Sequence, residues 1–208
     1  MYLSRIKGEY DVIFSLGNNC LPAMKLRDNQ LRTYAGPFDW VGSPDLSKVI
    51  HLLENHFANF LDLKNLKGIQ YLSDYDMLVF DEQNVISFNH DFKRSRNKLD
   101  DLQELPEIKE KYDRRIARFL TFLSSAKRIL FIRTEGTLEE VIRLEEVLRK
   151  NVKNDFHLLV VNHTEGNQMT ELYWPLEKVT AIELPNGEIW EGNNHYWKYI
   201  LDGIHISS

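Results

Sequence analysis

Cysteine is the least frequent residue in this chain of 208 residues, which contains one, Cys20. A single cysteine excludes an intrachain disulfide and a cysteine-based zinc knuckle. The chain also lacks any run approaching the roughly 20 apolar residues that a membrane helix requires, and Met1–Tyr10 has no apolar stretch typical of a signal peptide. We therefore predict a soluble, cytoplasmic protein without a membrane span.

An excess of basic charge is missing as well. The chain has 26 Lys and Arg against 31 Asp and Glu, for a net charge of -5. Because nucleic-acid binding relies on positive charge, this balance does not favour a nucleic-acid partner. Hydrophobic residues make up 43% and aromatic residues 12%, which is enough to build the core of one domain over residues 1–208. Nothing in the composition indicates an oligomeric state.

The common phosphate, metal and serine-hydrolase signatures are absent too. The turn Gly17–Pro22 follows a predicted strand but lacks the second and third glycines of a dinucleotide fingerprint. No phosphate-binding P-loop occurs, and Ser15 lacks the Gly-x-Ser-x-Gly turn of a hydrolase nucleophile. No His-Glu-x-x-His motif occurs either. We therefore predict neither a metal site nor a cofactor, except for coenzyme A under an alternative given below.

What the chain does contain is an alternation of short apolar runs with amphipathic stretches. The runs predict strands and the stretches predict helices. Three short extended pieces in the middle predict a small hairpin insert at an edge of the sheet. The pattern predicts a layered α/β domain with a mainly parallel central sheet flanked by helices, Rossmann-like or SGNH-like. Strands are predicted at 11–16, 127–133, 156–162 and 179–184, helices at 21–31, 45–60, 107–124, 138–150 and 196–201, and the insert pieces at 69–72, 77–80 and 85–88.

Cys20 lies where the first predicted strand passes into a helix. The carboxyl ends of parallel strands are where open α/β sheets bind ligands. The unpaired N–H groups and the dipole at a helix N-terminus favour an anion, which lowers the pKa of a thiol there. The same N–H groups, with the side chains of Asn18 and Asn19, would hold a developing oxyanion. An inert core cysteine is the competing interpretation, so position alone does not decide.

A catalytic thiol needs a base, and the chain has seven histidines. His90 is the first candidate because it follows a predicted strand, and Asp91 beside it would fix the tautomer of the ring. A hydrogen-bonded loop histidine is the competing interpretation. His195, in a late loop, is the second candidate for the base and a candidate substrate contact.

The segment Gly36–Trp40 places two aromatic residues beside a proline. It predicts either a loop packed on the core or a pocket wall in which Trp40 contacts substrate. In the second case Asp39 would orient a histidine or bind substrate. Arg32 and Arg133 are the cations expected to face such a cleft, and Arg133 would need a partner or an anionic ligand at the end of a core strand.

Three segments taken together resemble an uncharacterised bacterial family whose members are described as papain-like cysteine peptidases. The segments are Ser15–Cys20, Leu31-Arg32 leading into Pro37–Trp40, and Phe88–Phe92. Ile129–Arg133 and Val161-Asn162 fit the layout of that family as well, so the likeness covers most of the chain.

The resemblance implies that Cys20 is the nucleophile and His90 the base. The third catalytic member stays open among Asp91, Asp39 and Asn162. Papain-like folds place the cysteine on a helix packed against an antiparallel sheet, whereas the pattern of this chain predicts alternating α/β structure.

Three functions remain open from the sequence. The leading prediction is a cysteine-dependent hydrolase that uses a Cys-His pair on a peptide. The first alternative is a coenzyme A-dependent acyltransferase acting on a surface polysaccharide, because a thiolate with a histidine base suits an acylated small molecule or glycan equally well. The second is a non-catalytic carbohydrate or cell-envelope binding module with Trp40 as a stacking wall. The type of chemistry is better defined than the substrate.

Overall fold

The computed structural model describes residues 2–207. This part of the chain folds into three β-sheets and five α-helices. The helices are α1 (Leu21–Asp28), α2 (Leu46–Glu54), α3 (Leu105–Ser125), α4 (Leu138–Asn151) and α5 (Asn194–Leu201). The strands are β1 (Gly8–Tyr10), β2 (Val12–Ser15), β3 (Val41–Gly42), β4 (Leu66–Tyr71), β5 (Asp76–Asp81), β6 (Ile86–Lys93), β7 (Arg128–Thr134), β8 (Asp155–Thr164), β9 (Thr170–Leu172), β10 (Val179–Pro185) and β11 (Ile204–Ile206). Short 3₁₀ helices cover Tyr2–Ile6 and Leu63–Asn65.

The central sheet has five strands in the order β2-β7-β8-β10-β9. The first four are parallel, and β9 pairs with β10 in the antiparallel direction. Successive residues of β7 enter different cores: Phe131 packs in the cluster that includes α2, α3 and α4, and Ile132 packs in the cluster that includes α1 and α5. Burial of both faces explains why the parallel strands are apolar runs rather than alternating ones. The prediction of an α/β protein with a largely parallel sheet is confirmed, and its finer Rossmann-like or SGNH-like assignment stays a prediction.

The predicted small hairpin insert is wrong in its extent. The segment forms a separate antiparallel sheet of four strands in the order β3-β6-β5-β4. Strand β6 continues beyond Phe88 to Lys93, and the two-residue strand β3, which comes from the loop around Trp40, pairs with it. A two-residue strand leaves no periodic pattern, so its place in a sheet depends on pairing that sequence spacing does not show.

Strand β6 contains a bulge next to the predicted base. Met77 of β5 pairs with Phe92, and Val79 pairs with Phe88. Three residues of β6, 89–91, therefore stand opposite the single residue between Met77 and Val79. Such a bulge bends the strand and redirects side chains that strict alternation would place on the other face.

Two helices end earlier than their apolar spacing predicts. The second predicted helix, 45–60, ends at Glu54, because four of the next residues adopt a left-handed backbone that a right-handed helix does not contain. The first, 21–31, ends at Asp28, and Gln30 has a φ of 60°. The strands β1 and β11, which pair with each other in parallel, were not predicted. Residues 2–207 contain no helix long and apolar enough to cross a membrane.

Candidate active site

A tight turn after β2 presents Cys20 at the N-cap position of α1. Gly17 and Asn18 have φ values of 78° and 81°, in the left-handed region, and a Cβ added to Gly17 would lie 2.5 Å from Ser43 Oγ. Asn18 is fixed by Ser43, whose hydroxyl accepts the Asn18 N–H at 3.0 Å and whose own N–H donates to the Asn18 carbonyl at 2.8 Å. The Asn19 side-chain oxygen accepts the Leu21 N–H at 2.9 Å, which gives a partner to one of the free N–H groups at the start of α1. Hydrogen bonds between Asn18 and Ser43 and between Asn19 and Leu21 therefore fix the loop that carries the thiol.

The Cys20 thiol is half-buried, and its pKa is raised. Burial is the largest cause, the carboxylates of Asp39 and Asp91 add to it, and the N–H of Cys20 itself opposes it. The prediction that the start of α1 lowers this pKa is therefore wrong in its net direction, because burial and two negative charges outweigh the helix terminus. The resting thiol keeps its proton at neutral pH and needs a base to remove it.

Asp39 is buried and holds Arg32 rather than a histidine. Its carboxylate accepts from Arg32 Nε at 2.8 Å and from the Gly36 N–H at 2.9 Å, and Arg32 Nη2 lies 2.7 Å away. Burial raises the pKa of Asp39 more than the Arg32 charge and the Gly36 N–H lower it. The Arg32 guanidinium lies 5.2 Å from the centre of the Trp40 ring, and that of Arg27 lies 5.7 Å from it. The structure thus joins three of the sequence candidates in one cluster.

At the bulge in β6, the side chains of the adjacent residues His90 and Asp91 have different surroundings. Asp91 points to α3, where it accepts the Tyr112 hydroxyl at 2.9 Å and forms an ion pair with Lys111. Burial, followed by the Asp91 charge, holds the pKa of Tyr112 well above its usual range. His90 is exposed, although strict alternation would place it with the buried Phe88. Within residues 2–207 the His90 ring has no hydrogen bond to Asp91 or to Cys20.

Arg133 does not face a cleft, and this corrects its prediction as a substrate contact. It is fully buried, and burial lowers its pKa to about 10. Its guanidinium donates to the carbonyls of Leu16 at 2.9 Å and Ser43 at 2.8 Å, to Ser43 Oγ at 3.2 Å, and to the Glu135 carbonyl at 3.2 Å. The buried charge therefore finds its partners in the main chain of three loops.

Two other candidates lie apart from Cys20 in their contacts. Asn162 makes two hydrogen bonds of 3.0 Å with the main chain of Gly136, one as acceptor and one as donor, and so fixes the loop after β7. His195 is exposed on α5, with its ring centre 3.9 Å from that of Tyr196. The structure places neither in a hydrogen bond with the thiol.

A cavity of about 370 Å³ opens at the carboxyl ends of β7, β8 and β10. His163 and Glu135 line it and are joined by a 2.5 Å contact between Nδ1 and Oε1. The sequence places both loops at the ligand side of the sheet, but neither residue carries a motif. The useful signal is that a charged residue follows β7 directly and a histidine stands near the end of the adjacent β8.

Most of the chain matches one known protein family. Residues 11–166, about three quarters of it, match the model of a family described as "Putative papain-like cysteine peptidase". The chain belongs to this family. The matched region includes Cys20, Asp39, His90 and Asp91 and ends before α5.

A relative of uncharacterised function matches along nearly the whole chain. It is an uncharacterised protein of Acanthamoeba polyphaga mimivirus, 28% identical over 224 residues that cover 92% of this chain and 97% of the relative. No solved structure matches the chain. Across residues 2–207, no group of histidine, cysteine and carboxylate side chains is arranged to hold a metal ion.

Proposed function

We propose that this protein is a cysteine-dependent peptidase in which Cys20 is the nucleophile and His90 the general base. One observation carries the proposal. The family match covers both Cys20, at the N-cap position of α1, and His90, in β6. The Asp91 carboxylate beside His90 is also among the causes that raise the pKa of Cys20, after burial and Asp39. Family membership supplies the reaction class, because the family is described by cysteine peptidase chemistry.

The raised pKa of Cys20 defines how the base must act. His90 takes the thiol proton as sulfur attacks the carbonyl carbon of a peptide bond. The Cys20 N–H and the side-chain amide of Asn19 hold the oxyanion. When the C–N bond breaks, the proton passes from His90 to the leaving amine. Water, deprotonated by His90, then hydrolyses the thioester and releases a carboxylic acid and the free thiol.

Asp39 and Asp91 act in this proposal by positioning other groups. Asp39 holds Arg32 against Trp40, whose ring also lies near Arg27 in the last turn of α1. Asp91 ties the bulge to α3 through Tyr112 and Lys111 and so fixes the backbone that carries His90. Because two guanidinium groups already lie over the Trp40 ring, this ring is less available for stacking on a sugar, which favours a peptide over a carbohydrate ligand.

Hydrolysis of a fluorogenic peptide library by the full chain tests the proposal. We expect the wild type to release fluorophore, Cys20→Ala to lose all detectable turnover, and Cys20→Ser to retain at most a small fraction, because a hydroxyl is a far weaker nucleophile beside the same base. Turnover that survives in Cys20→Ala, or a wild type that cleaves no member of the library, would contradict the assignment.

A further inference from the structure

The cavity at the carboxyl ends of β7, β8 and β10 has no assigned role in the chemistry of Cys20, which is not among its lining residues. Its walls come from the loop before α4, the end of β8 and Glu183 on β10. It therefore extends beyond residues 11–166, the part that matches the family. The carboxyl edge of parallel strands is a general location for ligand sites.

The charge of the cavity is one-sided. Three carboxylates, Glu135, Glu140 and Glu183, line it, and no lysine or arginine does. The buried Arg133 guanidinium donates to main-chain carbonyls, including that of Glu135, and its charge also interacts with the carboxylates of Glu135 and Glu140. Glu183 is half-buried and, within the described residues, its carboxylate makes neither a hydrogen bond nor an ion pair. A carboxylate in that state favours a cationic partner.

The histidine of the cavity adds a second acceptor. The side chain of His163 is 5% exposed, and its Nδ1 contacts Glu135 Oε1 at 2.5 Å. Because a carboxylate accepts, Nδ1 carries the proton, and in the neutral ring Nε2 then presents a lone pair. His163 Nε2 is buried without a hydrogen-bond partner among residues 2–207. A buried acceptor of this kind is stabilised by a donor from outside the chain.

Among the remaining polar groups of the cavity, the Thr164 hydroxyl accepts the Gly166 N–H at 3.4 Å and also has a proton to donate. Glu140 gives one carboxylate oxygen to the N–H and hydroxyl of Thr137 at the start of α4 and keeps the other free. Asn162 is saturated by the Gly136 main chain. The acceptors that remain, the second Glu140 oxygen, the Glu183 carboxylate and His163 Nε2, are complementary to an organic group that donates hydrogen bonds.

We infer that this cavity binds an organic cation, an ammonium or guanidinium group, between Glu183, Glu140 and His163. The cation has two possible sources, the side chain of a lysine or arginine in a peptide or a small free amine, and both offer the same chemistry. The inference does not depend on Cys20 as a nucleophile, so Cys20→Ala protein must bind the cation as the wild type does.

Titration of the full chain, followed by the NMR signals of the His163 ring at constant pH, tests this site. The probes are Nα-acetyl-arginine methylamide and agmatine, with Nα-acetyl-citrulline methylamide as the neutral isostere. We expect saturable shifts with the two cations and none with citrulline. Tighter binding of the arginine amide assigns the site to a peptide side chain, and tighter binding of agmatine assigns it to a free amine.

Variants with matched charge changes complete the test. Glu183→Gln should weaken binding about tenfold, because a charge-assisted hydrogen bond is lost. Glu139→Gln, an exposed neighbour on α4 outside the cavity, should change binding less than about twofold. Glu140→Gln keeps the cap of α4 and should also weaken binding, which gives a second variant if Glu183→Gln unfolds.

Three results would overturn the inference. The first is no saturable shift by either cation up to roughly 10 mM, weaker than any specific affinity expected for such a site. The second is equal binding of citrulline and arginine amides. The third is an equal loss of affinity in Glu183→Gln and Glu139→Gln. Such a result would show that the ligand is attracted by the overall negative charge of this surface and not by a defined site.

Discussion

The surroundings of Cys20 and the cavity beside His163 both follow strands of the same parallel sheet, but their carboxylates differ in pairing. Near Cys20, Asp39 is bound by Arg32, and Asp91 by Lys111 and Tyr112. In the cavity, Glu183 has no partner within residues 2–207. Paired carboxylates hold loops in place and change the pKa of a neighbour, whereas an unpaired one leaves charge for a ligand. This difference matches the roles proposed for the two regions, covalent chemistry at Cys20 and binding of a cation in the cavity.

Two exposed histidines, His90 on β6 and His195 on α5, provide the largest expected effect. His90→Asn should lower the rate of Cys20-dependent peptide hydrolysis by about 10²–10⁴-fold, the usual contribution of a general base. His195→Asn should leave it within about twofold. The measurement is kcat/KM for both variants on the same peptide. A large loss in His195→Asn with none in His90→Asn would move the base to α5 and leave Cys20 as the nucleophile.

Arg133 links the two regions, because its guanidinium binds Leu16 and Ser43 on one side and Glu135 on the other. Arg133→Met should lower the free energy of unfolding by about 3 kcal/mol, since buried carbonyls lose their donors. Urea unfolding measures this change. Arg114→Met, which removes an exposed pair with Glu110, should change it by less than about 0.5 kcal/mol. If both variants changed the free energy of unfolding by the same small amount, Arg133 would not be what joins the two regions.

The smallest expected effect concerns the charge that Asp91 exerts on the thiol. The Asp91 carboxylate raises the pKa of Cys20, so Asp91→Asn should lower that pKa. Below the pKa, the thiolate fraction at a given pH then increases. We expect alkylation by iodoacetamide at pH 7.5 to become about threefold faster.

The matched control for this change is Asp113→Asn on α3, the helix that Asp91 contacts, because Asp113 is not among the causes of the Cys20 pKa shift. Its alkylation rate should equal that of the wild type. A slower reaction in Asp91→Asn would mean that Asp91 acts on the thiol through structure and not through charge. Because burial keeps the thiol protonated, slow alkylation of the wild type does not by itself separate a nucleophile from an inert cysteine.

The sequence predicts the parallel strands of the central sheet well. Both faces of a strand such as β7 are buried, so its sequence is a continuous apolar run. The same holds for α4, which begins at Thr137 with a capping box and has an apolar face. The antiparallel sheet is harder to predict. Its two-residue strand β3 and its bulge depend on pairing between strands that are distant in sequence.

The candidate site shows the same limit. A motif with the right neighbours points to Cys20, and the family match covers it. The direction of its pKa shift could not be predicted, because it depends first on how deeply the folded chain buries the thiol and then on the carboxylates of Asp39 and Asp91, which are distant in sequence. Arg133 was expected to face a ligand, but its partners are main-chain carbonyls, which no side-chain pattern reveals.

The central claim is that Cys20 forms a covalent acyl intermediate with a peptide. Intact-mass spectrometry after an acid quench, with a peptide p-nitrophenyl ester as acyl donor, tests it most directly. The account predicts one acyl group per chain, mapped to the peptide that contains Cys20, reduced in His90→Asn and absent in Cys20→Ala. An acyl group on any other residue, or equal labelling of Cys20→Ala and the wild type, would contradict it.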